Sequence, residues 1–407
     1  MATVMARSAT ADAPQGADLE KGSSVDPVKV LPGIEAHPHA RAVLGPALPP
    51  AGRASHAYLL HGPAGVGKRA VARAFAAALL ADGAPGEDAM RAARERVARG
   101  THPDLTWVTP SGAAEMLVSD IDEPIVAAAA RTPFEASRRV FVIEAAETLN
   151  EQAANRLLKT LEEPPAYAHL VLVSDRREEV MATIASRCVR VRFDALGAET
   201  IAERLLADGA CARDEAERAR ACARLALGDA GRAAMLASEQ GKALRSAAEG
   251  YVRSALKGAT GVAERRWVGL LEAAKNAGAS AGERVAGGLE GELEMAAGRE
   301  RKRLEREALE KGRRAERRAR ARALEQGLQL AELWLRDLVC LKEGAKELVY
   351  AVDRAAELDE DAQSCTGAGA REGVRLVGET RARIAVNVSE ELALEALAYR
   401  LQALAVA

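Results

Sequence analysis

A short apolar stretch, Ala57-Tyr-Leu-Leu-His61, runs directly into Gly62-Pro-Ala-Gly-Val-Gly-Lys68, and an alanine-rich, helix-forming stretch continues from Lys68 to about Ala81. Strand, glycine-rich turn and helix in that order leave few folds open to the chain. The G-x-x-x-x-G-K spacing lets backbone N–H groups turn inward onto phosphate oxygens. The start of the helix adds partial positive charge, and Lys68 supplies a point charge for the outer phosphates. Gly62, Gly65, Gly67 and Lys68 are therefore candidate nucleotide-binding residues.

The position after the lysine normally carries Ser or Thr, whose hydroxyl ligates Mg²⁺. This chain has Arg69 there. Arginine offers no lone pair to a cation, and its charge repels one. The acidic half of such a site follows a buried strand. Here Val140-Phe-Val-Ile143 leads into Glu144-Ala-Ala-Glu147. Glu144 has the reach to approach a metal, but Ala145, at the place of the base, cannot take a proton. Two independent chemical parts are missing. The expectation is a loop that holds ATP or ADP weakly, has little use for Mg²⁺ and does not turn nucleotide over.

Strand-like runs recur at 104–108, 139–143, 169–174 and 189–193, alternating with helical stretches. That alternation predicts an α/β fold with a largely parallel sheet. Thr148-Leu-Asn-Glu151 has the form of a capping box. The helix it opens carries Leu157, Leu158 and Leu161 on one face, and Pro164-Pro165 ends it. Beyond 195 the strand signals stop. Three short helices are expected over 198–240, broken near Asp208-Gly209 and Gly228–Gly231. The remainder reads as helical, interrupted at the glycine-rich stretches 275–288 and 366–373. Residues 1–30 read as a disordered polar tail. The expected division is a tail at 1–30, the phosphate-loop domain at 31–195, a helical lid at 196–245 and an all-α domain at 246–407.

Charge narrows the function classes. Lys and Arg number 57 against 59 Asp and Glu, a net charge of −2, which excludes a wholly basic nucleic-acid coat. Locally, Arg299 to Arg322 holds twelve Arg or Lys and five Glu. A long solvated helix laced with Arg–Glu pairs is the plainer reading. A surface near DNA is the sharper one, without aromatics for base stacking. Aromatic residues are only 3% of the chain, which favours helices packed through small aliphatic side chains. The five cysteines, 188, 211, 222, 340 and 365, are odd in number and form no C-x-x-C pair. They predict neither a disulfide framework nor a zinc site, and they suit a reducing cytoplasm. No apolar run approaches the ~20 residues needed to span a bilayer, so no membrane partner is expected.

Several strings together resemble the clamp-loader subunits of bacterial DNA polymerase III, a family of the AAA+ class. They are His56-Ala-Tyr-Leu59, the loop Gly62–Lys68, Thr101-His-Pro-Asp-Leu105, Ala153-Ala-Asn-Arg-Leu-Leu-Lys-Thr-Leu-Glu-Glu-Pro-Pro165 and Ser186-Arg-Cys188. The resemblance covers residues 31–195, extends to 196–245 as the lid, and beyond that rests on helical character alone, which implies that 246–407 is the family's collar, its oligomerisation domain. It implies a pentameric ring that loads the sliding clamp onto primed DNA in the cytoplasm. The partners implied are the gamma/tau motor subunits and the delta subunit. Arg69 and Ala145 fit the family's non-hydrolysing stator kind, delta prime, better than its ATP-hydrolysing motor or a stand-alone AAA+ DNA-repair ATPase. The chain would then serve a DNA-directed DNA polymerase holoenzyme without independent ATPase activity. The resemblance also implies roles for single residues. Ser174 ends a strand where a polar residue senses the γ-phosphate. Arg232 lies near the place of a second sensing arginine, with a solvated helix-start arginine as the plainer reading. Arg187 would face a neighbour's nucleotide as an arginine finger in trans, or else pair with a nearby carboxylate. Zinc-binding cysteines common between the first helix and His-Pro-Asp-Leu are absent from 81–100.

Overall fold

The computed structural model describes residues 26–111, 115–258, 265–288, 297–386 and 388–405. Of the stretch expected to be a tail, residues 1–25 lie outside the described residues. Pro27–Val30 forms one helical turn capped by Asp26, whose carboxylate accepts from Val28 N at 3.1 Å. The chain divides into two compact units. The first takes the chain up to Gly62 together with Lys68–Phe193, and the second takes Pro63–Gly67 and Asp194–Ala407.

The first unit is built on five parallel strands, β1 (Ala57–His61), β2 (Leu105–Val108), β3 (Arg139–Ile143), β4 (Ala168–Ser174) and β5 (Val189–Arg192), in the order β2-β3-β4-β1-β5. The central strands β1, β3 and β4 are covered on both faces, which is why they read as nearly continuous apolar runs rather than alternating ones. Helix Lys68–Ala81 buries Val71, Phe75 and Leu79, one stripe at four-residue spacing. Phe75 meets Tyr58 of β1 edge to face, ring centres 5.2 Å apart. Helix Glu151–Glu162 contributes Ala153, Leu157 and Leu161 to a core shared with Phe141, Leu170 and Ile121. Its start differs from the expected capping box. Asn150 is the cap, its Oδ1 accepting from Ala153 N at 2.8 Å, while Thr148 turns back to donate to Ala145 O. Asn is as good a cap as Thr, and the preceding turn Ala146–Thr148 already uses the hydroxyl.

The regular elements of the second unit, among the described residues, are helices. Helices Ala198–Ala207, Ala216–Leu225 and Ala230–Ala237 come first, and Glu239–Leu256, Trp267–Gly287, Gly298–Lys342, Ala355–Gln363, Gly367–Ala385 and Glu390–Gln402 follow. The glycine-rich stretches 275–288 and 366–373 do not interrupt the helices as expected. They lie mostly inside Trp267–Gly287 and Gly367–Ala385. The reason is close approach: a Cβ on Gly278 would stand 2.9 Å from Glu316 O, and one on Gly373 would stand 3.1 Å from Leu335. These glycines are points where helices touch, at a propensity cost that the packing offsets. The apolar stripe of Leu328, Leu330, Leu333, Trp334 and Leu338 is buried within the unit itself. Trp334 Nε1 donates to Asp361 Oδ2 at 3.0 Å. No described helix is long and apolar enough to cross a membrane.

Candidate functional site

The phosphate-loop sequence starts at the end of β1. Gly62, Gly65 and Gly67 all have positive φ, 144°, 70° and 98°. Gly62 also has no room for a side chain, since a Cβ would stand 2.0 Å from Phe193 O. Lys68 opens the following helix and is buried. Its Nζ donates to Gly62 O at 2.6 Å and pairs with Asp175 Oδ1 at 2.7 Å. The sequence alone does not mark Asp175, the neighbour of Ser174, as the partner of Lys68. The signal lay in the sheet: β1 and β4 pair in register from Ala57↔Leu170 to His61↔Ser174, so the residues following both strands emerge side by side.

Arg69 is two-thirds exposed, yet its guanidinium reaches Glu144 Oε2 at 2.9 Å. The other oxygen, Glu144 Oε1, accepts from Trp107 Nε1 at 2.7 Å. Both oxygens of the Glu144 carboxylate are thus engaged. Ala145 follows in the left-handed region, φ 52° and ψ 49°. The donor set does not fit a Mg²⁺ ion: no hydroxyl follows Lys68, and Glu144, the acid directly after β3, is held by Arg69. Ser174 is fully buried at the end of β4, and its Oγ accepts from Arg176 N at 3.1 Å. That is the bond of a strand-end hydroxyl closing a turn.

Arg187 follows the helical turn Ala182–Ala185 and is one-third exposed. Its Nη2 donates to Glu162 Oε1 and its Nη1 to Thr183 O at 2.9 Å. Glu162 closes helix Glu151–Glu162 within the Leu-Glu-Glu-Pro-Pro string, so two of the family strings meet in this ion pair. Cys188 beside it is buried, which pushes its thiol up to about 12, the state of an inert apolar filler. The third string works through Asp104. Its buried carboxylate accepts from the N–H groups of Phe134, Glu135 and Ala136 at 2.5, 2.9 and 2.9 Å and so ties down the approach to β3.

In the second unit, Arg232 lies in the first turn of helix Ala230–Ala237. Its backbone N donates to the cap Asp229 Oδ1 at 2.7 Å. Its side chain is only partly exposed. Nη1 reaches Gln329 Oε1, while Nε and Nη2 are buried without a partner among the described residues. The charged stretch lies on helix Gly298–Lys342. Arg301–Glu305, Arg303–Glu307 and Glu310–Arg314 pair along it at four-residue spacing, 3.0, 3.6 and 3.4 Å apart.

Comparison with known proteins bears on the first unit. Residues 47–197 match the family model described as DNA polymerase III, delta subunit. Over 141 residues the chain is 43% identical to DNA polymerase III subunit delta prime of Pseudomonas aeruginosa, covering 33% of this chain and 42% of that protein. Over 158 residues it is 33% identical to subunit delta prime of Bacillus subtilis, covering 38% and 46%. Over 156 residues it is 32% identical to subunit tau of Bacillus subtilis, covering 37% and 27%. Among solved structures, a DNA polymerase III gamma subunit-related protein of Thermotoga maritima aligns over 86% of this chain and 95% of that one, with TM-score 0.39 and 18% identity. The chain spans less than half the length of these curated relatives. Residues 47–197 thus resemble the delta prime subunits of DNA polymerase III, and that stretch holds the β2-β3-β4-β1-β5 parallel sheet of the first unit.

Proposed function

We propose that this chain is a stator subunit, of the delta prime kind, in a DNA polymerase III clamp loader that places the sliding clamp on primed DNA. In this reading it acts in the cytoplasm beside gamma/tau motor subunits and a delta subunit, and it hydrolyses no ATP itself. The observation that carries the reading is the Arg69–Glu144 pair at 2.9 Å. Where a motor subunit needs a metal ligand and an acid, this chain has an internal salt bridge, and Ala145 at the place of the base has no proton acceptor. ATP or ADP is held weakly if at all, and the chain's part in hydrolysis is Arg187, offered to a neighbour's nucleotide. The motor reading requires the hydroxyl and base that are missing here, and the repair-ATPase reading requires the same parts.

The test is recovery of the complex from cells through a tag on the full chain. Gamma/tau and delta subunits in the eluate support the assignment, and their absence from a soluble, folded preparation overturns it. A reconstituted complex lacking this chain should lose clamp loading on primed DNA.

A further inference from the structure

The second unit contains the tip of the glycine-rich loop, Pro63–Gly67, and within that unit the tip is in contact with an acid. Asp229 is the N-cap of helix Ala230–Ala237. A Cβ built on Gly65 would stand 1.6 Å from Asp229 Oδ1, 1.9 Å from its Cγ and 2.4 Å from its Oδ2. The carboxylate therefore occupies the space that a side chain at 65 would take. Any side chain at 65 would collide with it, quite apart from the φ of 70° that already favours glycine there. The acid is held in place from its own side. Its Oδ1 accepts from Arg232 N at 2.7 Å, and its own N–H donates to Ala226 O at 3.1 Å. Leu227 and Gly228 before it both have positive φ, 55° and 89°, which turns the chain back toward the loop.

We propose that Asp229 determines what the loop accepts: its carboxylate is a built-in anion at the loop tip that opposes the polyphosphate of a nucleotide. The inference rests on reading residues 62–68 as a phosphate loop, and it does not depend on the clamp-loader assignment. A loop of this sequence attracts phosphate because its amides and the following helix start present positive potential to an anion. Within the second unit, Asp229 already stands as an anion at the tip of that loop. A di- or triphosphate arriving at the same loop meets a like charge a few Å away in partly excluded solvent, where repulsion is stronger than in water. This is independent of the lost metal ligand. Restoring a hydroxyl at 69 would leave the carboxylate in place.

The discriminating substitutions keep the helix cap and remove the charge. Asn and Ser cap helices about as well as Asp, so Asp229→Asn and Asp229→Ser keep the bond to Arg232 N. Calorimetric titration of the full chain with ADP, without Mg²⁺, reads the effect. Both variants should bind ADP on the order of tenfold more tightly than the wild type, with the gap narrowing at high salt. Circular dichroism and thermal melting identify any variant that has not folded, and the other then decides. If folded Asp229→Asn or Asp229→Ser binds ADP no more tightly than the wild type, the inference is overturned. No partner subunit enters this measurement, so its failure leaves the stator reading standing, and failure of the stator reading leaves this one standing.

Discussion

Lys68 Nζ lies 2.7 Å from Asp175 Oδ1 and 2.6 Å from Gly62 O, so the lysine of the phosphate loop is already paired inside its own unit. In a hydrolysing site that ammonium goes to the outer phosphates of the nucleotide. Here a nucleotide would have to compete with an acid and a carbonyl for it. The lysine has in effect become part of the fold, fastening the start of the loop to the end of β4.

The first expected outcome follows from that fastening. Lys68→Met should lower stability by about 1–3 kcal/mol, because a buried charged hydrogen bond is lost and Gly62 O is left without its donor. The urea midpoint measures it. Steady-state hydrolysis by the pure wild-type chain should be undetectable. Hydrolysis that disappears in Lys68→Ala would refute the reading of a silent site.

Mg²⁺ dependence gives a second. With Arg69 bound to Glu144, adding Mg²⁺ should change ADP or ATP affinity little. Arg69→Thr supplies the hydroxyl and releases the Glu144 oxygen together, so a Mg²⁺-dependent gain should emerge in that variant alone. Titration of both proteins with and without Mg²⁺ decides. A large Mg²⁺-dependent gain in the wild type would show that the pair opens readily and that Glu144 still serves a metal.

How much of this was legible in the sequence depends on the range of the interaction. The strand–loop–helix unit, the parallel sheet and the loss of the hydroxyl and base depend on neighbouring residues, and motif and periodicity carry them. The partners of the surviving polar groups are fixed by register and tertiary packing. Asp175 meets Lys68 because β4 lies beside β1, and Asp229 meets Gly65 across more than 160 residues of chain. Nothing local marks either contact. The glycines at 278 and 373 misled for a related reason. Glycine in isolation signals a break, whereas here it is where two helices come closest. Arg232 looked like a solvated helix start because its partner, Gln329, comes from a distant helix.

Stability should fall on the acid side in two steps. Burial lowers the pKa of His61, His102 and His169 below the ordinary 6.5, with cationic neighbours such as Arg177 adding to the effect at His61. These imidazoles are neutral in the native state, so the unfolded chain binds more protons below about pH 6.5, and stability present above that value is lost as pH falls. Asp104 adds a second window. Burial alone would raise its pKa, but three backbone donors outweigh this and hold it below 3.8, so its contribution is lost below that value. The urea midpoint should drop from about pH 7 to about pH 5, and His169→Asn should flatten that slope. A midpoint that rises on acidification would contradict the assignment of neutral native imidazoles.

The last helix, Glu390–Gln402, exposes an apolar face. Leu392 and Tyr399 are 64% and 43% exposed on helix Glu390–Gln402, and Ala396 lies exposed between them at helical spacing. The stripe at 328–338 is covered by the unit itself, so under the proposed function this exposed face is a candidate contact for a neighbouring subunit. The Leu392→Glu, Tyr399→Glu double variant should melt as the wild type does, since both sites are exposed, but should join the reconstituted complex with affinity reduced by about tenfold or more. Unchanged assembly would move the contact elsewhere.

Arg187 provides the most direct test of the proposed function. In the isolated chain its guanidinium is held on Glu162 and Thr183 O, an arrangement only one-third exposed. Such a pair contributes less than about 1 kcal/mol, so Arg187→Ala should leave the thermal midpoint and complex assembly nearly unchanged. If the guanidinium leaves Glu162 to meet a neighbour's triphosphate, the loss appears in that neighbour's hydrolysis. A planar, permanently charged group that makes two hydrogen bonds to a transferring phosphoryl group accounts for rate factors of about 10³ or more. ATPase and clamp loading by the reconstituted complex should therefore fall in Arg187→Ala, and Arg187→Lys should not restore them, because an ammonium lacks the fork. Glu162→Gln separates this from a structural role. It weakens the pair without altering Arg187 itself, so under the proposed role it should leave the complex's ATPase at or above the wild-type rate. Clamp loading at the wild-type rate by the Arg187→Ala complex would show that the arginine serves the fold alone.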